Sequence, residues 1–520
     1  MERLVRRVVS PIGFICAVAL LGAGLSFFLQ GWIDISLWDE GFLWYGAQRV
    51  LAGDVPIRDF YAYDIGRYFV LALPMAVWGN TGIVALRFGL MLLQALVLAV
   101  VAEFVYRRVD RDWRVVGAIG LVAWLWVWPH YRMPDFVVLV VGLVVLARIQ
   151  RTSHPLPTSV LLGLVYGVVL VSLGDVRKHG VFFVACVCVV LALRAYKQRR
   201  VRLWLRRAGV VLGGFAVGVV PLVLYALMTR GFLAAYITHM IEGFFAREQA
   251  NIPLPVPWPW VVALQPGGAG LREYLIGVCF VVLAVGPFVA LGGLLWRAHR
   301  HRSTHPFVQA AVVYSVPSVV YAFSRADLVH LAQGLLPLVL GGLVWIAHEH
   351  TQRFWVVCSG VLAVSLIIFL PVQPRAACPA VDVCRATQVG PDILSVPNQT
   401  ADEVALLNRM RTDFVAGDET LFIAPFWPGA YAMLSLRAPV WDIYAIWPRS
   451  EAFQRDEIAQ LTAAQPRAVI IMNKGMDDRS ALRFSISHEL VYTYIRDTYD
   501  QIEGYTTLPG YSIFRIRDYD

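Results

Sequence analysis

Eleven long apolar stretches in the first 373 residues constrain this chain more than any other feature of its sequence. About 17–25 apolar residues are needed to cross a bilayer as an α-helix, and shorter stretches cross only with tilt or an apolar flank. The candidates are residues 11–30, 81–105, 114–128, 134–149, 158–173, 180–194, 208–228, 274–295, 307–323, 331–347 and 354–372. The sequence therefore predicts a polytopic α-helical membrane protein with about eleven transmembrane helices.

Composition and charge support a membrane protein and argue against a nucleic-acid partner. Charged residues make up 16% of the chain, below the roughly 25% of soluble domains, and the mean hydropathy is +0.61. Residues 1–373 hold 31 Lys and Arg against 17 Asp and Glu, whereas residues 374–520 hold 14 against 19. The net charge of +9 is therefore concentrated in the membrane part, where loop charge sets orientation. No nucleic-acid binding is predicted.

The same basic residues predict sidedness. If the N-terminus is cytoplasmic, the cytoplasmic segments hold 20 Lys and Arg, whereas the longer opposite loops hold ten. This is the positive-inside pattern. With eleven spans, the C-terminal part then lies on the opposite side, called the outer side below. We expect no cleaved signal peptide, because the first apolar run is long and is followed by further spans.

Two outer segments are predicted to fold outside the bundle. The loop 31–80 contains a short helix over residues 38–51 and an interfacial helix over residues 66–79. Residues 374–520 change in character and predict a small α/β domain. Its predicted strands are ETLFIAP, RAVIIMN and YSIFRIR, and its predicted helices are DEVALLNRMRT and SHELVYTYIRDTY. Two domains follow, 1–373 and 374–520.

Cysteines give one further structural alternative. Cys378 and Cys384 fall in the outer domain, on the oxidising side of the membrane. They form either a short disulfide or two unpaired thiols. No Cys and His spacing resembles a zinc site.

An adjacent acidic pair, Asp39 and Glu40, is the sharpest candidate for chemistry. Both residues fall in the first turn of the predicted helix 38–51, where the helix dipole favours carboxylates. Neighbouring helical side chains point in different directions, so the two acids should have different roles. One would act as a base on a substrate hydroxyl, and the other would bind a cation or orient the first. The alternative is a pair of acids that only stabilise the helix start.

Three short outer turns carry the remaining candidates: HYRMPD (130–135), GDVRKHG (174–180) and SRADLVH (324–330). Charges at span ends are costly and therefore indicate function. Their polar groups are expected to meet at one level of the bundle. Asp135 would bind acceptor or metal, or else cap its helix. Lys178 and His179, with Arg177, would neutralise a phosphate or else contact lipid headgroups. Arg325 and His330, with Asp327, would line the pocket that these turns form, or else make only an internal ion pair and a helix cap.

The loop sequence WDEGFLWYGAQRVLAGDVPIRDF, placed after a single span, resembles that of C-type (GT-C) integral-membrane glycosyltransferases. Among them, protein O-mannosyltransferases and aminoarabinose transferases are the most similar. The resemblance covers residues 1–372 and is strongest in topology and at the acidic pair. The small outer domain after residue 374 also resembles bacterial members. The resemblance implies a multi-pass protein of a bacterial plasma (inner) membrane. It also implies a polyprenyl-phosphate sugar donor, which agrees with the absence of a nucleotide-binding motif from the sequence.

The resemblance also implies roles for individual residues. Asp39 corresponds to the family's general base and Asp135 to its second acid, and Glu40 is a secondary candidate. The candidates for binding the donor phosphate are Arg58, Arg67, Lys178, His179, Arg325 and His330. A divalent cation, Mg²⁺ or Mn²⁺, is the candidate cofactor, with Asp39, Glu40 and Asp135 as its candidate ligands.

The implied reaction is a single inverting displacement. A carboxylate takes the proton of an acceptor hydroxyl as that oxygen attacks the anomeric carbon. The leaving polyprenyl phosphate gathers negative charge, which cations stabilise. The acceptor would be an outer glycan, lipid or protein. Two other functions fit the composition, a transporter or lipid flippase and a non-catalytic assembly scaffold, although no inverted repeat is visible in the sequence.

Overall fold

The computed structural model describes residues 11–109, 112–151, 155–245, 253–262, 269–380, 382–417 and 419–517. These residues divide into two compact units. The helical unit comprises the described residues of Met1–Phe27, Leu90–Met228 and Asn251–Gln373. The mixed unit comprises those of Phe28–Gly89, Thr229–Ala250 and Pro374–Asp520. Arg3, Arg6, Arg7 and Arg111, which contribute to the predicted sidedness, lie outside the described residues.

Helices make up most of the described chain before residue 374. They are α1 (Pro11–Gln30), α2 (Asp39–Leu51), α3 (Gly66–Trp78), α4 (Ile83–Arg108), α5 (Trp113–Trp126), α6 (Met133–Ile149), α7 (Leu156–Leu173), α8 (Val181–Gln198), α9 (Val201–Met228), α10 (Phe232–Phe245), α11 (Ala269–His299), α12 (Pro306–Ser324), α13 (Leu328–Glu349) and α14 (Thr351–Phe369). A short helical turn, Val176–Gly180, leads directly into α8.

Every one of the eleven predicted spans is a helix in the structure. Nine stretches of the described residues are long and apolar enough to cross a membrane. The other two predicted spans are the shorter helices α5 and α6, with 14 and 17 residues. The chain is therefore a multi-pass membrane protein. Both short helices of the predicted loop 31–80 are also present, as α2 and α3.

Small residues allow two helices of the helical unit to pack with their backbones close together. A Cβ atom added at Gly163 of α7 would lie 2.0 Å from the carbonyl oxygen of Val211 in α9. One turn further, a Cβ at Gly167 would lie 2.9 Å from the Cα of Gly218. Glycines spaced four apart are a typical helix contact in membranes, where backbones must approach closely to gain packing energy.

The part of the mixed unit after residue 374 is a small α/β domain. Strands β1 (Cys384–Val389) and β2 (Asp392–Pro397) form an antiparallel pair. A second sheet contains β3 (Leu421–Ala424), β4 (Ala468–Met472), β5 (Tyr499–Gln501) and β6 (Tyr511–Ile516), in the order β3-β4-β6-β5. The pair β3–β4 is parallel, and the other pairs are antiparallel. The helices α15 (Asn398–Phe414), α16 (Pro428–Leu434), α17 (Glu451–Ala464) and α18 (Glu489–Thr498) complete the domain.

The predicted elements of this domain are all present. The three predicted strands are β3, β4 and β6, and the two predicted helices are α15 and α18. Their apolar faces form one core, with Val469, Val491 and Phe514 nearly inaccessible to solvent. Cys378 and Cys384 form a disulfide, which decides between the two alternatives left open by the sequence. The β1–β2 pair, strand β5 and helices α16 and α17 were not predicted.

Candidate active site

Asp39, the predicted base, is the first residue of α2 and remains partly exposed. Its Oδ1 atom accepts a hydrogen bond of 2.8 Å from the hydroxyl of Tyr444 in the C-terminal domain. Tyr444 is 5% exposed, and its ring lies 5.4 Å from that of Phe42, one turn further along α2. The carboxylate that the sequence singles out is therefore held by a buried tyrosine that the sequence did not indicate.

Glu40, the second acid of the pair, binds a guanidinium. Arg87 Nε donates to Oε1 and Arg87 Nη2 to Oε2, each at 2.7 Å. Arg87 also donates to the backbone carbonyls of Gly31, Ile33 and Asp34 at 2.8–3.2 Å. Such two-point contacts are strong and directional. The cation that Glu40 binds here is thus an arginine of α4, and the pair fixes the segment before α2.

The contact between Glu40 and Arg87 affects whether Glu40 can bind the divalent cation suggested by the sequence. Glu40 is one of its three candidate ligands, and both of its carboxylate oxygens already accept hydrogen bonds from Arg87. A metal ion would have to replace these contacts and would then lie beside a positive charge. Glu40 as it stands therefore does not fit a metal ligand, and metal binding at Asp39 and Asp135 stays a prediction.

Arg58 and Arg67, two candidates for the donor phosphate, both pair with carboxylates of their own loop. Arg58 Nη2 lies 2.8 Å from Asp59 Oδ2, and Arg67 Nη2 lies 2.6 Å from Asp64 Oδ2. Burial would raise the pKa of Asp59, but hydrogen bonds from Arg58 and from the Val55 N–H outweigh it and lower that pKa overall. Both guanidinium groups thus support the shape of the loop, and their role in phosphate binding stays a prediction.

The helical unit brings together Asp135 and the turn before α8. Asp135 is 5% exposed and lies in the first turn of α6. Its Oδ1 lies 3.6 Å from Nε2 of His179, and its Oδ2 lies 3.8 Å from Nη1 of Arg132. Two of the three predicted outer turns therefore meet at this buried carboxylate.

The third turn joins them through Lys178. The Lys178 ammonium lies 3.3 Å from the centre of the Tyr321 ring, a cation–π distance. The Tyr321 ring in turn lies 4.8 Å from the ring of His330. The prediction that the three turns meet is confirmed within the helical unit. We call this group the three-turn cluster: Arg132, Asp135, Lys178, His179, Tyr321, Arg325, Asp327 and His330.

Asp327 organises the last part of the three-turn cluster. It begins α13 as its N-cap and accepts a 2.8 Å hydrogen bond from the backbone N–H of His330. It also contacts His330 Nδ1 at 2.7 Å and Arg325 Nε at 2.9 Å. Burial opposes ionisation of Asp327, but these partners hold its pKa below the ordinary value. The ion pair and helix cap considered from the sequence are both present.

The net charge of the three-turn cluster suits an anion. It contains three permanent cations, Arg132, Lys178 and Arg325, against two carboxylates, Asp135 and Asp327. With neutral histidines its net charge is +1. A phosphate would add the negative charge that this cluster lacks.

A second buried group of charges lies in the C-terminal domain and was missed from the sequence. Asp442, Glu457 and His488 have ligand-type atoms within 4.8 Å of one another. Arg449 contacts the same carboxylate, with Nη2 2.5 Å from Asp442 Oδ2. Burial lowers the pKa of His488 to about 4. An internal arginine therefore supplies the positive charge beside Asp442.

Solved structures share the fold of this chain. ArnT from Cupriavidus metallidurans bound to undecaprenyl phosphate gives a TM-score of 0.53 at 13% identity, over 96% of this chain and 97% of that one. Its apo form gives a TM-score of 0.53 at 14% identity with the same coverage. No family model and no curated protein matches the sequence. The likeness shows the fold: a GT-C-like membrane bundle with a small C-terminal sheet domain, as predicted.

Proposed function

We propose that this protein is a glycosyltransferase that moves a sugar from a polyprenyl-phosphate donor to an acceptor hydroxyl. The observation that carries the proposal is the partly exposed Asp39, held through Oδ1 by the Tyr444 hydroxyl at the start of α2. The fold adds support, because the ArnT structure of the same fold is bound to undecaprenyl phosphate. The proposed enzyme acts at the outer face of a bacterial plasma membrane, with a cytoplasmic N-terminus.

In the proposed reaction, Asp39 is the general base. It takes the proton of the acceptor hydroxyl as the acceptor oxygen bonds to the anomeric carbon. The bond from that carbon to the phosphate oxygen breaks, and its electron pair leaves with the polyprenyl phosphate. Because attack and departure occur on opposite sides in one step, the anomeric configuration inverts. The step needs a base and a stabilised leaving group.

The three-turn cluster is the proposed site for the leaving phosphate. Its net charge of +1 and the Lys178 ammonium beside Tyr321 support this assignment. Cations placed where charge develops stabilise the transition state more than the bound substrate. Arg58 and Arg67 are weaker candidates, because each already pairs with a neighbouring carboxylate.

A proteoliposome assay tests this function against the transporter alternative. Purified full-length protein is supplied with undecaprenyl-phosphate mannose, undecaprenyl-phosphate aminoarabinose or decaprenyl-phosphate arabinose, together with a bacterial envelope extract as acceptor. We expect one donor to give a covalently glycosylated product and free polyprenyl phosphate. Movement of intact donor across the bilayer without product would contradict the proposal and favour a flippase.

A further inference from the structure

Asp39 and Tyr444 are 405 residues apart in sequence, yet their side chains are joined by a 2.8 Å hydrogen bond. Both belong to the mixed unit. The Tyr444 side chain is almost fully buried, whereas Asp39 is partly exposed. A hydrogen bond to a carboxylate is stronger in such a water-poor setting than at an open surface. The C-terminal domain thus contributes a side chain directly to the proposed base.

Tyr444 is itself fixed by a buried ion pair. Asp442 Oδ1 accepts a 3.2 Å hydrogen bond from the Tyr444 N–H, and Asp442 Oδ2 accepts a 2.7 Å hydrogen bond from Arg449 Nε. The Asp442 side chain is 0% exposed and that of Arg449 8%. Arg449 also lies 4.6 Å from the centre of the Phe453 ring. These contacts hold the Tyr444 backbone and so restrict where its hydroxyl can point.

The helix that carries Asp39 is attached to the same part of the domain. Ala438 N–H donates to the Tyr45 hydroxyl at 3.0 Å, one and a half turns along α2 from Asp39. Closer to Asp39, a Cβ added at Gly41 would lie 2.5 Å from the Cα of Gly429, so the two backbones touch. The distance between Asp39 and Tyr444 is therefore set by packing on both sides of the hydrogen bond.

A metal site at Asp442, Glu457 and His488 would be another use of this buried group. The contacts argue against it, because Arg449 already neutralises Asp442 at 2.5 Å. A cation bound there would sit beside the guanidinium and be repelled by it. The observations instead favour a structural role for the group, in support of the Tyr444 segment.

We propose that Tyr444 is a positioning residue for Asp39, and that the C-terminal domain takes part in transfer through it. This inference rests on the proposed function. A general base works only when its carboxylate is oriented toward the proton it removes. The Tyr444 hydroxyl fixes the carboxylate plane through Oδ1 and keeps its own proton throughout. Asp442 and Arg449 act one step further back by holding Tyr444.

The test is a double-mutant cycle on the full chain with Tyr444→Phe, Asp39→Asn and the double variant. Tyr511→Phe is the matched control, because its hydroxyl donates a similar 3.0 Å hydrogen bond to a carboxylate of the same domain, Glu403. We expect Tyr444→Phe to lower kcat by roughly tenfold to a hundredfold, because a small misplacement of a reacting group can cost about a hundredfold in rate. The KM for the donor and the binding of undecaprenyl phosphate should stay unchanged, and Tyr511→Phe should keep the wild-type kcat.

The cycle has a second readout that does not need turnover. If the two side chains are bonded, the melting-temperature shifts of Tyr444→Phe and Asp39→Ala will not add in the corresponding double variant. Alanine is used for this readout because asparagine would keep an oxygen that accepts the Tyr444 hydrogen bond. Likewise, Tyr444→Phe should cause no further loss of transfer once Asp39 is Asn. Additive thermal shifts, or a kcat for Tyr444→Phe equal to that of Tyr511→Phe, would overturn the positioning role. Full activity of Asp39→Asn would instead show that Asp39 is not the base. If no donor gives a product, the proposed function is wrong, but the thermal cycle would still report whether Asp39 and Tyr444 are in contact.

Discussion

Both carboxylate oxygens of Glu40 accept hydrogen bonds of 2.7 Å from the guanidinium of Arg87. The side chains of Glu40 and Arg87 are 9% and 11% exposed, so this ion pair is largely removed from water. Removing one partner of such a pair leaves an uncompensated buried charge, which typically costs about 3–5 kcal/mol. The relationship separates the two neighbouring acids, since Glu40 stabilises the loop while Asp39 faces the Tyr444 hydroxyl.

The first prediction concerns the structural role of Glu40, as distinct from the role of Asp39. Glu40→Ala should lower the melting temperature of the detergent-solubilised protein strongly, whereas Glu40→Leu combined with Arg87→Met should lose less, because no charge is left unpaired. Thermal unfolding followed by tryptophan fluorescence measures both. If Glu40→Ala melts like the wild type but has lost all transfer, Glu40 is catalytic rather than structural.

A second prediction addresses the three-turn cluster. Lys178→Met should weaken binding of undecaprenyl phosphate by about tenfold to a hundredfold, the range expected for losing one hydrogen bond to a charged group. Lys197→Met is the control, because Lys197 Nζ donates to a backbone carbonyl, that of Arg302. Microscale thermophoresis with undecaprenyl phosphate compares the two. Equal affinity of Lys178→Met and Lys197→Met would remove Lys178 from the phosphate site.

The disulfide gives a third prediction. Cys378 and Cys384 are bonded across six residues, and closing so short a loop restricts the unfolded chain by roughly 2 kcal/mol. Replacing both cysteines with Ser should therefore lower the melting temperature modestly and leave transfer intact. Intact-mass measurement with a thiol-alkylating reagent checks the bond itself. Alkylation of both cysteines in the absence of reductant would show that the bond is not formed.

A fourth prediction follows from His488, whose pKa burial lowers from the ordinary 6.5 to about 4. Between these values the unfolded chain binds a proton at His488 that the folded chain does not, so stability falls as the pH drops. The full effect is on the order of 3 kcal/mol. The charged groups that face His488 are those of Asp442, Arg449 and Glu457, and they are present in both the wild type and the His488 variant used for comparison.

The measurement for His488 is the melting temperature of the full chain from pH 7 to pH 4. The variant His488→Phe cannot titrate there and can keep the stacked contact with Phe484. The wild type should lose melting temperature more steeply than this variant as the pH falls. Parallel curves for the two proteins would show that His488 does not bind its proton in this window.

Much of the fold could be predicted because it depends on local sequence. Each apolar run is a helix, since only a helix satisfies its backbone polar groups inside a bilayer. The buried strands β3 and β4 are short apolar runs that can be identified by composition alone. Strand β1 shows no alternation of buried and exposed positions and so could not be recognised, whereas β2 alternates, with Leu394 and Val396 buried, and could have been predicted. Helix α17 begins at a Ser450 N-cap, a signal that was present but overlooked.

The candidate site divides in the same way. Asp39 could be found from its place in a short motif at the start of a helix. Arg87 was also accessible, because an arginine inside an apolar span requires an acidic partner, and that signal leads to Glu40. Tyr444 could not be found, because its contact with Asp39 links residues 405 positions apart and nothing in the local sequence WDIYAIWP marks it. Long-range pairing of this kind depends on the tertiary fold.

One comparison shows whether Asp39 is the base of a sugar transfer. The transfer rate of Asp39→Asn is measured against that of Asp54→Asn, which instead removes the partner of Arg49 in the same loop. Binding of undecaprenyl phosphate is measured on the same samples. We expect the transfer rate of Asp39→Asn to fall by about a hundredfold to ten-thousandfold, with donor binding and the Asp54→Asn rate both near wild type. A transfer rate for Asp39→Asn equal to that of the wild type, with normal donor binding, would show that Asp39 is not the base.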